Sequence, residues 1–149
     1  MSAGIGDGVV TVERHIAARP ETVFSFFTDR DKWLSWMGID GEFAFERGGA
    51  YRTTVTGENV AEGRFTEIDP PKRLVFTWGW AQGNGSVPTG STTVEITLEP
   101  TADGTLLRLV HSGLPSPEAC AAHGEGWNHY VARLARRAEG SDPGPDLWM

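Results

Sequence analysis

One cysteine in 149 residues, Cys120, excludes an intramolecular disulfide and points to a reducing, cytoplasmic setting. No stretch approaches the ~18 consecutive apolar residues of a transmembrane helix, so no membrane span is expected. The opening residues, MSAGIGDGVV, carry neither a basic segment nor an apolar run of the secretory kind, and no export signal is expected. Positive charge is scarce: 13 Lys and Arg stand against 20 Asp and Glu, a formal net charge of -7. Such a field repels phosphate, and the one basic cluster, Arg133, Arg136 and Arg137, sits where cations complement the end of a helix. A nucleic-acid partner is therefore not expected.

Site motifs are equally sparse. His123 has Trp127 four residues later instead of a second ligand, and no other Cys or His spacing suits zinc, so neither metal nor cofactor is expected. GWAQGNGSVPTG lacks the Gly-Lys-Ser/Thr ending of a phosphate loop, and Ser86 and Ser112 lack the Gly-x-Ser-x-Gly elbow of a serine hydrolase. Asn84-Gly85-Ser86 matches a glycosylation sequon but, without export, reads as turn chemistry.

What the chain has is 19 glycines, placed mostly between short apolar runs, which suggests many strands. VVTVERHI at 9–16 alternates as a half-buried strand. Pro20 suits a first helical turn, with Val23, Phe24 and Phe27 at helical spacing behind it. Thr28 and Asp29 can cap a second short helix over DRDKWLSW, which places Trp33, Trp36 and Met37 on one face. From 42 to 111 the period is two. EFAFE, AYRTTVT, NVAEGRFTEID, KRLVFTWGW, STTVEITLEP and GTLLRLVHS read as six strands whose short spacers force antiparallel pairing in a meander. The long spacer, Ala81 to Gly90, should project as a lip able to gate something.

A long amphipathic helix is expected after Pro115 and Pro117, reaching about Ala138, with Cys120, His123, Trp127, Val131 and Leu134 on its inner face and Tyr130 beside them. Gly124 and Gly126 each cost about 1 kcal/mol there relative to alanine. The domain is expected over 1–139, with its core at 9–138. Residues 140–149, GSDPGPDLWM, read as a flexible tail whose Trp148 and Met149 are available for docking.

One such helix against a seven-stranded sheet defines a two-layer α+β domain, and twist bends so wide a sheet into a half-barrel. A helix about 10–12 Å across cannot fill that concavity. Alternation turns Tyr51, Thr53, Val55, Phe65, Leu74, Phe76, Trp78, Trp80, Val94, Ile96, Leu98, Leu107, Leu109 and His111 inward. An apolar hollow with few polar groups suits a small hydrophobic molecule, unless the aromatics fill it completely. Trp36, Tyr51, Phe65, Phe76, Trp78, His111, Trp127 and Tyr130 are the candidate ligand-binding residues, and Trp80 is a further indole wall. His111 and His123 could face one cavity, and His111 is the candidate general base; the plainer alternative is a pair of hydrogen-bonded rim histidines.

VERHIAARPETVFSFFTD, WLSWM, the Gly48-Gly49 turn, EGRFTEIDPPKRLVFTW, TLLRLVHSGL and HGEGWNHYVARL, in this order from Val9 to Leu134, resemble the START/SRPBCC superfamily, also called birch-pollen-allergen-like or helix-grip. Within it the chain is most similar to the family named after the activator of the ninety-kilodalton heat-shock-protein ATPase. The resemblance implies a helix-grip fold with a hydrophobic cavity between sheet and last helix, and it supplies no catalytic set. The eukaryotic activators resemble this chain only in their C-terminal domain and rely on a further N-terminal domain, so the family name does not imply chaperone activation. The expected function is binding of a lipid, aromatic or polyketide-like metabolite by a monomer or homodimer. The alternatives are a polyketide cyclase or aromatase using His111 and a chaperone accessory protein, which would need an exposed apolar patch.

Overall fold

Alternating apolar residues build the sheet. The computed structural model describes residues 2–5, 8–82 and 87–148, in which β1 (Ser2–Ile5) and β2 (Val10–Ile16) precede two short helices, α1 (Pro20–Ser25) and α2 (Arg30–Leu34). The strands β3 (Asp40–Phe43), β4 (Ala50–Thr56), β5 (Asn59–Asp69), β6 (Arg73–Trp78), β7 (Thr92–Thr101) and β8 (Gly104–Ser112) follow, and α3 (Pro117–Ala138) is the last helix. The sheet has eight strands in the order β1-β2-β8-β7-β6-β5-β4-β3. All its pairs are antiparallel, so the meander from β3 to β8 is closed by β2 along the edge of β8.

The seven strands read from the sequence are present, and β1 is an addition: it pairs residues 2–5 with 13–10 of β2. Two strands end earlier than their apolar runs. β3 stops at Phe43 and β6 at Trp78; at Gly79, which follows β6, a side chain would run into the Pro88 backbone. Irregular register at Thr54/Thr56 and at Phe65/Glu67 adds local bends to the sheet. Gly63 has a similar task, since a Cβ there would collide with the Thr77 carbonyl, to which the Tyr51 hydroxyl also donates at 2.6 Å.

The helices begin as their caps direct. Asp29 accepts from the Lys32 N–H at 3.0 Å, Ser116 accepts from the Ala119 N–H at 3.1 Å, and Pro20 and Pro117 open their helices. The basic cluster on α3 has a local use: Arg133 Nε donates to the Trp36 carbonyl at 3.2 Å and Arg137 Nε to the Ser35 carbonyl at 3.0 Å. These cations satisfy carbonyls just past the C-terminal end of α2 and fix it against α3.

One end of the sheet's concave face is packed solid. Trp33 of α2 lies 5.0 Å from the Phe43 ring, 5.6 Å from Trp36 and 5.7 Å from Phe76, and Phe27, Tyr51 and Phe65 complete the cluster. Helices of five and six residues have no independent stability, so these ring contacts are what keep α1 and α2 in place.

Candidate functional site

The other end is open. Between α3 and the strand ends β4, β5 and β6 lies a cavity of about 650 Å³, lined by Met37, Val55, Thr56, Asn59, Trp78, Trp80, Ser116, Glu118, Ala119, Ala122, His123, Gly126, Trp127, Tyr130 and Trp148. That volume suits a drug-sized molecule. The space exists because α3 shows it small residues: Ala119, Ala122 and Gly126 recur along the helix face where larger side chains would close the gap.

The wall is a set of rings held by their own hydrogen bonds. Trp78 lies 5.1 Å from Trp127 and 5.3 Å from Trp80. The Trp127 indole N–H donates to His111 Nδ1 at 2.9 Å, which places the His111 proton on Nε2, 2.7 Å from Thr92 Oγ1. The Thr92 hydroxyl passes its own proton to the Trp78 carbonyl at 2.7 Å. A second pair repeats the logic: the Trp80 N–H donates to His123 Nε2 at 3.2 Å, and His123 Nδ1 faces the Ala119 carbonyl at 2.8 Å. The two imidazoles meet edge to face at 5.1 Å.

Burial keeps both rings neutral. It lowers the pKa of His111 from 6.5 to about 3, with the nearby His123 adding to the shift. It also lowers that of His123, against the opposing effect of the Ala119 carbonyl. A general base needs a free lone pair near its operating pH. His111 has neither: it is wholly buried, Trp127 occupies its Nδ1, and it stands behind the cavity wall. In this geometry His111 stands as a hydrogen-bonded strut behind Trp127.

The tail closes one side. Asp146 accepts from the Tyr130 hydroxyl at 2.7 Å, from His129 Nε2 at 2.9 Å and from the Trp148 N–H at 3.0 Å, while the Trp148 ring stacks on His129 at 3.8 Å. Burial disfavours the Asp146 charge, but the bonds from Trp148, Tyr130 and His129 outweigh it and hold the carboxyl below its usual pKa. Burial and the Asp146 carboxylate together push the Tyr130 phenol well up. These contacts place Asp146 and Trp148 against α3; Met149 lies outside the described residues.

Of the candidate ligand-binding residues, the structure brings Trp78, Trp127 and Tyr130 together on the cavity wall, with Trp80 and His123 beside them. Trp36, Tyr51, Phe65 and Phe76 lie in the aromatic cluster, outside the cavity lining, where α2 brings Trp33 and Trp36 into that end of the hollow. The sequence reading missed Trp148, Glu118 and the small residues of α3. The spacing of Ala119, Ala122 and Gly126 on one helix face was the available signal for the last of these. The tip of the expected lip, including Asn84, Gly85 and Ser86, lies outside the described residues. Among the described residues no group of three metal-ligating side chains is gathered, and no helix is long and apolar enough to cross a membrane.

A curved antiparallel sheet gripping one long helix, with a cavity of small-molecule size between them, is a helix-grip fold. Residues 17–139 match the family model described as Activator of Hsp90 ATPase homolog 1-like protein, and the chain belongs to that family. An AHSA1-like protein from Rhizobium etli, solved by NMR, is 50% identical, with 95% of this chain and 88% of that one covered at a TM-score of 0.75. CalU16 from Micromonospora echinospora is 24% identical over 97% of this chain and 86% of its own, with a TM-score of 0.76. The Aha1 dimer from Colwellia psychrerythraea is 22% identical over 88% and 96%, also with a TM-score of 0.76. The latter two are similar in fold. No curated protein matches the chain.

Proposed function

We propose that this protein binds a small hydrophobic molecule, a lipid, aromatic or polyketide-like metabolite, in the cavity between α3 and the sheet, and that it holds the molecule without transforming it. The observation that carries the reading is the ring-walled cavity of about 650 Å³, whose indoles and imidazoles are fixed by internal hydrogen bonds. Rings already immobilised lose little entropy when a ligand arrives, which favours affinity. The cyclase-like alternative is not favoured, because both imidazoles spend their acceptor nitrogens on indole N–H groups.

Freshly purified protein examined by native mass spectrometry should carry an adduct, and a screen of lipids and aromatics should raise its melting temperature. Ala122→Trp, which fills the cavity from α3, should abolish both effects while the protein stays folded. Absence of any adduct or thermal shift in the wild-type protein would dismiss the reading.

A further inference from the structure

The cavity's polar groups are unevenly matched, and the imbalance bears on the charge of what enters. Three of its ring-borne donors are consumed internally: Trp127 by His111, Trp80 by His123 and Tyr130 by Asp146. The Asn59 amide donates to the Thr56 hydroxyl at 3.1 Å. The Trp78 N–H has no acceptor, but it is fully buried and offers no surface to a ligand. An incoming acceptor is left with the Trp148 indole N–H and the rim hydroxyls of Thr56 and Ser116, each hydroxyl itself an acceptor as well.

Acceptors for a cation are plentiful. The rings of Trp78, Trp80, Trp127, Tyr130 and Trp148 line one volume, and the exposed carboxylate of Glu118 stands in the same lining. None of the described lining residues is Lys or Arg. Arg133, whose charge is felt at Tyr130, turns its Nε to the Trp36 carbonyl. The first turn of α3 does reach the cavity, and a helix N-terminus carries about half a positive charge. The full negative charge of Glu118 in that turn exceeds it, and Ser116 already takes the Ala119 N–H.

We propose that the cavity selects hydrophobic amines: its ligand carries an ammonium group, which the tryptophan faces and Glu118 receive, on an apolar body. This deepens the ligand-binding reading given above and rests on it. Cation–π attraction strengthens as water is excluded from the rings, and the -7 charge of the chain favours the same sign at longer range. A fatty acid meets the opposite field and finds no cation.

The test uses one apolar body with three heads: decyltrimethylammonium, decanol and decanoate, each titrated calorimetrically below its micellar concentration. The ammonium should bind about tenfold more tightly than the alcohol, with the carboxylate weakest. Glu118→Gln should reduce the ammonium-to-alcohol ratio several-fold. Equal binding of ammonium and alcohol, a preference for decanoate, or an unchanged ratio in Glu118→Gln overturns the charge assignment and leaves the hydrophobic receptor standing. Failure of all three to bind folded protein overturns the receptor reading and this inference with it.

Discussion

Acidification should destabilise this protein through His111, and the size of the effect follows from its burial. The imidazole is wholly inaccessible and its pKa falls from 6.5 to about 3, so between those values the unfolded chain binds a proton that the folded chain refuses. Stability rises with pH wherever the unfolded state binds more protons; the contribution is complete above about pH 6.5 and is lost as pH falls toward 3. At pH 4.5 the unfolded imidazole is almost fully charged and the folded one almost fully neutral, which removes about 2.7 kcal/mol relative to neutral pH. His111→Gln lacks the titrating group, whereas His123, lowered in the same direction, remains in both proteins. Urea unfolding of each at pH 7.5 and 4.5 should show the wild type losing roughly 2–3 kcal/mol more than the variant. Parallel losses would refute the claim that this ring is held neutral inside the wall, and the strut role would fall with it.

Asp146→Ala should free the tail. The substitution removes two hydrogen bonds to α3, and even one charge-assisted bond is worth about 1.5 kcal/mol, so a carboxypeptidase should trim residues beyond Gly140 at least about tenfold faster; an unchanged rate would mean the Asp146 clamp does not hold the tail in solution. Gly126→Ala, where a Cβ meets nothing within 4 Å, should stabilise α3 by about 1 kcal/mol in thermal unfolding. Destabilisation there would contradict an open cavity beside that turn.

The inward face of the sheet was legible because alternation alone determines it. Every strand residue expected to point inward from Tyr51 to His111 is buried, except Trp80, which is half-buried beyond the end of β6. The cap at Asp29 and the extent of α3 follow from equally local chemistry. β1 escaped notice because Ser-Ala-Gly-Ile carries no alternation and is recruited by the backbone of β2. The division of the hollow was also illegible. Whether Trp36, Tyr51, Phe65 and Phe76 face a ligand or one another depends on where α2 docks, and that position is set by its ring contacts together with Arg133 and Arg137, about a hundred residues away in sequence. No periodicity records such a contact.

That docking also explains how an empty volume survives beside a packed core. A void lined by freely rotating aliphatic chains tends to be reduced by their rearrangement, since each unfilled contact forfeits dispersion energy. Here the surrounding rings have little freedom to fold inward. Turning Trp127 would strand the buried Nδ1 of His111, turning Trp80 would strand Nε2 of His123, and turning Tyr130 would break its bond to Asp146. Each loss leaves a polar group unpaired at about 1–3 kcal/mol, comparable to what collapse of one side chain would return. The polar bonds in this wall are thus the reason that the apolar space remains, and a ligand entering it recovers contacts that the protein cannot make for itself.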